Sequence, residues 1–316
     1  MRLDLRPIST TLDAGDARHR WTERRGLTVT LREADLAAAG EAAPLPGRST
    51  ETLAEVERSL RALDAEDLAE PALVARLPSL PASARFALEV ALLGLAARRK
   101  GPDLAREAPL VSAVLVELLE GEALARTFGD ALALKVKVGR PGREEDEARA
   151  LLALRRATDL PIRADANGAL PDPWRSPVVR ALVEIGAELL EEPCALDRLL
   201  AGPRLPLPIA LDESVALDPG ASLDAVGGVA RALVLKPALL GLGESRRLAT
   251  GCLERGGRAI VSHAYDPPLA FAACVALALR LAPSEIHGLA PYPGLERWAG
   301  PDGPVPVPPD LVRAAR

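Results

Sequence analysis

The chain has 316 residues, which is enough for one large domain or two ordinary ones. Hydrophobic residues make up 48% of it and charged residues 26%, a balance typical of globular proteins with a buried core. The net charge of −5 argues against a nucleic-acid-binding face. The longest apolar run, Leu269–Leu279, is too short to span a bilayer and predicts a buried helix, so no membrane partner is expected.

The N-terminus carries charges from its second residue and lacks the apolar core of a signal peptide. An odd, sparse set of cysteines indicates a reducing cytoplasm rather than a disulfide framework: Cys194, Cys252 and Cys274. The three histidines do not cluster with cysteines at ligand spacing: His19, His263 and His287. A zinc site is therefore not expected, and any metal would have to be held by carboxylates.

Residues 1–100 differ in pattern from the rest of the chain. Apolar and polar residues alternate in Gly26–Glu33, which predicts a half-buried antiparallel strand, and Leu36–Ala43 predicts its partner. A Pro/Gly loop with the sequence PLPGR follows. Strands followed by helices indicate a small α+β domain, which we expect to cap the rest. The Pro-rich tail, residues 300–316, is expected to pack on this domain.

Two helices are predicted within the capping domain. Ser49 offers a side-chain oxygen that can cap a helix running to residue 63, and Glu51 then lies in the first turn, where the helix dipole favours an acid. Ser83–Arg98 predicts a second helix, which is strongly apolar.

Residues 101–299 alternate short apolar strands with helical segments such as Arg143–Ala157 and Glu244–Arg255. Eight strands are countable: VSAVLV, ALALKVKV, LPIRADA, AELLEEP, PIALDES, ARALVLKP, RAIVSH and EIHGLA. Eight strand–helix units predict a parallel sheet that closes into a barrel. The expected fold class is therefore α/β, a modified TIM-type (β/α) barrel with an N-terminal α+β capping domain. Active sites of such barrels lie at the carboxyl ends of the strands.

Five successive predicted strands, the second to the sixth, end in charged residues. The outer two end in lysine and the inner three in carboxylates, with polar neighbours: Lys135 and Lys137; Asp165 and Asn167; Glu191 and Glu192; Asp212, Glu213 and Ser214; and Lys236. In a closed barrel these strand ends form an arc around one cavity. Asp165, Glu191 and Asp212 are then expected to converge on one cation, with lysines on opposite sides.

Each strand end also has an ordinary explanation when it is taken alone. The lysines fit an exposed strand edge, the Asn-Gly pair fits a turn, and the glutamates fit solvated residues just beyond a strand. Asp212 or Ser214 fits the N-cap of a helix. The ordered series of five strand ends, rather than any single one, favours a functional site.

The arrangement suits the removal of a proton next to a carboxylate, which creates an enediolate with two negative charges. Hard oxygen ligands favour Mg²⁺, with Mn²⁺ as the other option, and such a cation stabilises that charge. Lys135 and Lys137 share one face of their strand, so their ammonium groups are expected to repel each other. That repulsion lowers proton affinity and lets a lysine act as a base near neutral pH.

The motifs KVK, DAN, EEP, DES and LKP resemble, in order and spacing, those of the enolase superfamily in its muconate-lactonizing subgroup. The resemblance covers nearly the whole chain. The stretch GLTVTLREADLAAAGEAAPLPGRSTET, together with EEPC and LKPALLG, is especially similar to the o-succinylbenzoate synthases of the menaquinone pathway. This resemblance implies a small-molecule carboxylate substrate and a dehydration.

The resemblance also implies roles for individual residues. The Mg²⁺ ligands would be Asp165, Glu191 and Asp212. Lys137 would be the general base that also returns the proton to the departing hydroxyl, and Lys236 would stabilise the enediolate. Lys135 would tune the base and meet the substrate carboxylate, with supporting roles for Asn167, Glu192, Glu213 and Ser214. The segment before Gly26 and a loop of residues 47–50, which includes Gly47 and Ser49, would close over the substrate.

The segment after the seventh strand departs from the synthase pattern. In place of a Ser- and Gly-rich stretch it reads SHAYDPP, from Ser262 to Pro268. The prolines remove backbone N–H donors, and Asp266 is expected to add a negative charge where an anionic substrate binds. Ser262 is a candidate substrate contact, and His263 is either a second one or a structural residue.

Three functions remain open at this stage. The first is the synthase reaction, and the second is N-acylamino acid racemisation or dipeptide epimerisation by lysines on both faces of the substrate. Against epimerisation of dipeptides, the region after the eighth strand, Gly288–Pro291, lacks an acid for a substrate amino group. The third is a non-catalytic barrel, against which the intact lysines argue. The sequence does not indicate an oligomeric state.

Overall fold

The computed structural model of the protein describes residues 1–15, 19–100, 114–116 and 132–306. The described residues form an antiparallel N-terminal sheet with helices, followed by a curled parallel sheet with helices. This is a capped TIM-type (β/α) barrel, as the sequence predicts. Within these residues, no helix combines the length and apolar character needed to cross a membrane.

The N-terminal sheet is built on a long hairpin. Its first three strands are β1 (Arg2–Gly15), β2 (Arg20–Glu33) and β3 (Leu36–Ala42). Two short strands from near the end of the chain, β11 (Ala299–Gly300) and β12 (Gly303–Pro304), complete the strand order β12-β11-β1-β2-β3. The predicted strand pair is confirmed, and β2 begins earlier than the alternating pattern indicates. The apolar residues of that pattern, Leu27, Val29 and Leu31, are buried.

Three helices cover one face of this sheet: α1 (Leu53–Arg61), α2 (Glu70–Arg76) and α3 (Ala82–Lys100). A short 3₁₀ turn, Leu77–Ser79, joins the last two. Apolar side chains of the helices and of β2 form one buried cluster, which includes Val56, Leu60, Leu88 and Leu95. The predicted helix from 83 to 98 is confirmed.

The cap of α1 is not at the predicted position. Thr52 is the N-cap, and it forms a capping box in which its side chain accepts from the Glu55 N–H while the Glu55 carboxylate accepts from the Thr52 N–H. The Ser49 hydroxyl accepts instead from the Leu45 N–H, at 2.8 Å. Glu51 accepts from the backbone and hydroxyl of Ser83. Thr52 caps the helix in place of Ser49 because a glutamate lies three residues after Thr52 and completes the capping box.

The second sheet is parallel throughout, in the order β10-β9-β8-β7-β6-β5-β4. Its strands are β4 (Val114–Val116), β5 (Leu134–Lys137), β6 (Ile162–Asp165), β7 (Leu189–Glu191), β8 (Ile209–Leu211), β9 (Ala232–Leu235) and β10 (Arg258–Val261). They match the first seven predicted strands, except that residues 111–113 of the first lie outside the described residues.

Helices follow the strands along the chain. They are α4 (Glu144–Ala157), α5 (Pro177–Glu184), α6 (Leu196–Ala201), α7 (Glu213–Leu217), α8 (Pro219–Asp224), α9 (Pro237–Leu240), α10 (Leu242–Glu254) and α11 (Pro268–Leu281). Their apolar faces and the outward side chains of the strands form the largest buried cluster of the described residues.

Within the described residues, the eighth predicted strand is reduced to bridge positions at His287 and Gly288, of which Gly288 pairs in parallel with Ser262. The Val261 N–H, which a regular ladder would pair with a backbone carbonyl, donates to Nδ1 of the His287 ring at 3.0 Å. A side chain therefore takes a position that the backbone of a strand would fill.

The interior face of the parallel sheet has an apolar layer that precedes the polar strand ends by two to four residues. This layer consists of Leu189, Ala210, Ala232, Val234 and Ile260. Deeper in the barrel, Arg163 is 1% exposed and pairs with Glu188 at 2.7 Å and with Glu285 at 3.1 Å. Arg258 contacts the same two carboxylates. This network joins β6, β7 and β10 at the end opposite the predicted site.

The chain returns to the N-terminal sheet near its end. A 3₁₀ turn, Leu295–Arg297, leads to β11 (Ala299–Gly300), which pairs with β1 at Ser9, and β12 (Gly303–Pro304) follows. Trp298 is fully buried against Ile8 and Ala43. The rest of the predicted tail, residues 307–316, lies outside the described residues. The predicted domain boundary at residue 100 adjoins another such segment and stays a prediction.

Candidate active site

Three carboxylates come together at the carboxyl ends of adjacent strands. Asp165 ends β6, Glu191 ends β7, and Asp212 directly follows β8. The parallel register pairs Asp165 with Glu191, so their side chains lie side by side. One oxygen from each carboxylate lies within 4.8 Å of the others, and the three residues are 1%, 2% and 4% exposed. The sequence prediction that these residues converge agrees with this geometry.

Three lysines surround the carboxylates. The Lys135 ammonium lies 2.5 Å from Glu191 Oε2 and 2.9 Å from Asp165 Oδ2. The Lys137 ammonium donates to Asp165 Oδ2 at 2.6 Å, and the Lys236 ammonium donates to Asp212 Oδ2 at 2.7 Å on the other side. The lysine side chains are 17–20% exposed, so they are largely buried and do not lie on an open strand edge.

The carboxylates dominate the electrostatics of the lysines. Burial opposes the charge on Lys135, but Asp165 and Glu191 outweigh it and raise the pKa of that ammonium. Burial likewise opposes the charge on Lys236, and Asp212 raises its pKa. The predicted lowering of lysine proton affinity by mutual repulsion is therefore wrong for Lys135. The reason is that each lysine ammonium contacts a carboxylate directly, and this carboxylate is closer than the ammonium of the neighbouring lysine.

Glu192 holds the loop that carries Asp212. It is 2% exposed and has a φ of 38°, a left-handed conformation that is unusual for a glutamate. Its carboxylate accepts from the Asp212 N–H at 2.8 Å, from the Ser214 N–H at 3.3 Å and from the Ser214 hydroxyl. Burial raises the pKa of Glu192 to about 7, against the effect of these hydrogen bonds. The Glu192 side chain thus orients the Asp212 backbone.

Asp212 precedes α7, but its side chain makes no capping hydrogen bond. Asp212 therefore occupies the N-cap position of α7 without capping the helix through its side chain, and its carboxylate faces Lys236 instead. The Ala169 N–H donates to the Ala166 carbonyl at 2.8 Å, so the Asn-Gly turn of the ordinary reading is present, and its first central residue is Asn167, with a φ of 46°. It accepts from Lys137 through Oδ1 and donates to Glu213 through Nδ2, each at 2.9 Å.

Ser262 and His263 lie at the end of β10. The Ser262 hydroxyl donates to the Gly288 carbonyl at 3.1 Å. The His263 ring is packed among aromatic rings, and its Nδ1 accepts from the Tyr265 N–H at 3.0 Å. Burial, and then the charge of Lys236, lowers the pKa of His263 to about 3. His263 is a neutral ring with a structural role in the aromatic cluster, and a substrate contact by either residue stays a prediction.

Asp266 does not add a charge to the substrate side of the barrel, so that expectation is wrong. The residue is 1% exposed, and its Oδ2 accepts from the Ala264 N–H at 3.1 Å and from the Cys274 thiol. Arg24 of β2, 1% exposed, lies close enough to favour the charged form of Asp266, although burial raises the pKa of that carboxyl. Arg24 of the capping domain therefore offsets the negative charge of Asp266 in the segment that departs from the synthase pattern.

The capping loop of residues 45–50 reaches the site through a residue that sequence reasoning missed. Gly47 has a φ of 79°, and a Cβ built there would lie 2.6 Å from the His19 ring, so only glycine fits. The next residue, Arg48, lies 2.7 Å from Glu213 Oε1. Its only signal in the sequence is the arginine of the PLPGR motif.

The donor set fits a divalent cation. Three carboxylates supply hard oxygen ligands and leave further positions for a substrate or water, which is the usual arrangement for Mg²⁺ or Mn²⁺ in proteins. In the described part of the chain, Asp165, Glu191 and Asp212 are the one group of acids and histidines or cysteines close enough together to hold an ion.

A capped (β/α) barrel with a buried carboxylate cluster at its strand ends defines a class of metal-assisted barrel enzymes. The chain belongs to the enolase superfamily. Residues 121–310 match the enolase C-terminal domain-like family, and residues 15–95 match the family described as "MenC, N-terminal domain". Both matches agree with the resemblance that the sequence motifs indicate.

Curated relatives extend over most of the chain. The o-succinylbenzoate synthase of Enterobacter sp. (strain 638) is 35% identical over 274 residues, which cover 84% of this chain and 82% of that protein. The o-succinylbenzoate synthase of Escherichia coli (strain SMS-3-5 / SECEC) is 32% identical over 295 residues, covering 90% and 89%. These similarities indicate an enzyme of this type or a closely related one.

Solved structures share the fold. The o-succinylbenzoate synthase from Thermosynechococcus elongatus BP-1, complexed with Mg in the active site, has a TM-score of 0.74 and 25% identity, covering 99% of this chain and 98% of that one. The dipeptide epimerase from Methylococcus capsulatus, complexed with Mg and the dipeptide L-Arg-D-Lys, has a TM-score of 0.75 and 26% identity, covering 91% and 89%. Both a synthase and an epimerase therefore resemble this chain.

Proposed function

We propose that the protein is an o-succinylbenzoate synthase of menaquinone biosynthesis. It would dehydrate 2-succinyl-6-hydroxy-2,4-cyclohexadiene-1-carboxylate to o-succinylbenzoate. The observation that carries the proposal is the cluster of three buried carboxylates within 4.8 Å of one another, flanked by Lys137 and Lys236. The two synthase relatives, 35% and 32% identical over most of the chain, support this reaction among those of the superfamily.

Asp165, Glu191 and Asp212 would hold the cation, Mg²⁺ or Mn²⁺. When bound, the cation supplies positive charge next to the substrate carboxylate, which lowers the cost of removing the neighbouring proton. The charges of Lys135 and Lys236 add to this, and such preorganised groups contribute about 2.7–4 kcal/mol each in other enzymes. Both lysines are held by carboxylates of the cluster, which places their charges beside it.

Lys137 is the proposed general base. It takes the α-proton of the substrate, and the electron pair of that C–H bond passes into the enediolate. When the C–O bond to the hydroxyl breaks, Lys137 returns the proton to the departing oxygen, so that water leaves from the same face. A base positioned in this way contributes about 10²–10⁴ in rate.

A second function uses the same residues. Lys137 and Lys236 lie on opposite sides of the carboxylate cluster, one on Asp165 and the other on Asp212. Two such bases could exchange an α-proton between faces, as in racemisation of an N-acylamino acid or epimerisation of a dipeptide. The similarity to the dipeptide epimerase from Methylococcus capsulatus favours keeping this candidate. Gly288–Pro291, without an acid, still argues against dipeptides.

The purified protein should be assayed on two substrates, each with Mg²⁺ and with EDTA. The first is the cyclohexadiene, and the second is an N-acylamino acid whose optical rotation reports racemisation. The proposal predicts turnover of the cyclohexadiene that EDTA abolishes and Mg²⁺ restores. Racemisation without dehydration would replace the synthase by the racemase, and dehydration unaffected by EDTA would contradict the role of the cation.

A further inference from the structure

Arg48 joins the capping domain to the polar residues behind the carboxylate cluster. Its Nη1 lies 2.7 Å from Oε1 of Glu213, the residue after Asp212. The two side chains are 11% and 16% exposed, so the pair is largely removed from water. A paired guanidinium and carboxylate with so little exposure interact more strongly than a surface ion pair.

The backbone around Arg48 is held in place. The Leu45 carbonyl accepts from the Arg48 N–H at 2.9 Å and from the Ser49 N–H at 2.8 Å. The Ser49 hydroxyl accepts in turn from the Leu45 N–H. Trp21 Nε1 donates to the Pro46 carbonyl at 3.0 Å, which fastens the loop to β2. The Arg48 side chain therefore projects from a rigid turn.

A continuous series of contacts leads from Arg48 to the proposed base. Glu213 Oε1 also accepts from Asn167 Nδ2 at 2.9 Å, and Asn167 Oδ1 accepts from the Lys137 ammonium at 2.9 Å. An ammonium can only donate, so the oxygen of the Asn167 amide must face Lys137 and the nitrogen must face Glu213. The orientation of Asn167 thus depends on an acceptor at Glu213.

We propose that Arg48 is a positioning residue that holds Lys137 in its reactive orientation through Glu213 and Asn167. This rests on the proposed role of Lys137 as the base. Without Arg48, the Glu213 carboxylate loses its ion pair with the guanidinium, and it is free to turn away from Asn167. The Asn167 amide then loses its fixed acceptor, and Lys137 loses one of its two oriented partners.

The first test compares Arg48→Met with Arg85→Met in the Mg²⁺-loaded enzyme. Arg85 is a matched control, because it also extends from the capping domain to the barrel, where it donates to the Leu240 carbonyl at 2.6 Å, away from the site. We expect Arg48→Met to lower kcat by about 10–100-fold, as loss of an outer partner of a metal site does, with KM changed less than about threefold. Arg85→Met should leave both near wild type, and Arg48→Lys should recover part of the loss.

The second test asks whether the effect passes through Asn167. In an Asn167→Ala background, Arg48→Met should cause little further loss of kcat, because the path is already broken. Multiplicative losses would overturn the positioning role. So would a rise in KM with unchanged kcat for Arg48→Met, since that result indicates direct substrate binding.

The third test needs no turnover, so it separates this proposal from the proposed reaction. Brief acetylation of the Mg²⁺-loaded protein, followed by mass spectrometry, gives the ratio of modified Lys137 to modified Lys135. A severalfold higher ratio in Arg48→Met than in wild type and Arg85→Met is expected, because only Lys137 contacts Asn167. An unchanged ratio would overturn the proposal. Inactivity of the wild type on the cyclohexadiene, with the expected ratio change, would reject only the synthase.

Discussion

Glu41 is a carboxylate that has been almost completely removed from water. It is 1% exposed, and its Oε2 accepts from the Leu269 N–H at 2.7 Å and from the Ala270 N–H at 3.1 Å, at the start of α11. Its other oxygen has no hydrogen-bond partner among the described residues. Burial raises the pKa of Glu41 to about 7, even though the two N–H groups favour the charged form, and the nearby Asp266 raises it further.

This raised pKa predicts how stability depends on pH. The folded protein binds the Glu41 proton more tightly than the unfolded chain does. The contribution of this proton to the free energy of unfolding is therefore complete below pH 4.5 and is lost as the pH rises to about 7. The free energy of unfolding of the wild type should therefore fall by roughly 3 kcal/mol relative to that of Glu41→Gln over that pH window. Urea unfolding at several pH values measures it.

The comparison cancels the titration of other buried acids, because both proteins contain them. A difference between wild type and Glu41→Gln that is constant from pH 4.5 to 7.5 would show that Glu41 is charged throughout.

At the scale of residues, the sequence predicts the groups that follow regular strands and misses those that depend on the other domain. The ends of parallel strands meet at one edge, so the convergence of Asp165, Glu191 and Asp212 follows from the order of motifs. Arg48 could not be placed, because its partner Glu213 is distant in the sequence. The error about Asp266 has the same origin, since the compensating Arg24 belongs to another sheet.

At the scale of elements, the capping box of α1 makes a testable contribution. Thr52→Ala removes the acceptor for the Glu55 N–H and one side of the box, and it should lower the free energy of unfolding by about 1 kcal/mol. Denaturant unfolding measures the loss. The neighbouring Thr50→Ala, which removes an exposed hydroxyl that donates to Glu51 at 3.0 Å, should change stability by less than about 0.5 kcal/mol. Equal losses would contradict the capping assignment.

Elements were predictable where one periodic pattern decides the structure. The alternation in β2 and the apolar face of α3 lead to the observed strand and helix. The short extent of the eighth predicted strand among the described residues was not predictable in this way. The His287 ring takes the Val261 N–H, and a side chain that competes with a backbone partner leaves no mark on the hydrophobic pattern.

At the scale of the whole molecule, cation binding should be linked to folding. The carboxylate cluster draws on three strands of the barrel, so it exists only in the folded protein. Mg²⁺ at about 100 times its Kd should therefore raise the free energy of unfolding by about 2.7 kcal/mol. Thermal unfolding with and without Mg²⁺ measures this stabilisation.

Asp212→Asn should lose most of that Mg²⁺-dependent stabilisation, because one of the three anionic ligands becomes neutral. Asp197→Asn, a surface change on α6, should keep it. Equal stabilisation of all three proteins would indicate that Mg²⁺ binds elsewhere.

The overall architecture was predictable because two different patterns divide the chain, an alternating one before residue 100 and a strand–helix repeat after it. The contacts that join the two parts were not. Arg24 donates to the carbonyls of Ala43 and Pro44 on its own side and of Ala264 and Tyr265 on the barrel side. Every residue has a carbonyl acceptor, so no sequence pattern identifies a contact of this kind between the two parts of the chain.

The conversion rate of the cyclohexadiene by Lys137→Ala, at saturating Mg²⁺, probes the site most directly. Loss of the amine should reduce kcat by at least about 10²–10⁴-fold, since the variant lacks the proposed base. The circular dichroism spectrum and the stabilisation by Mg²⁺ should stay those of the wild type. A variant that folds, binds Mg²⁺ and still dehydrates the substrate at a near wild-type rate would contradict the assignment of Lys137 as the base.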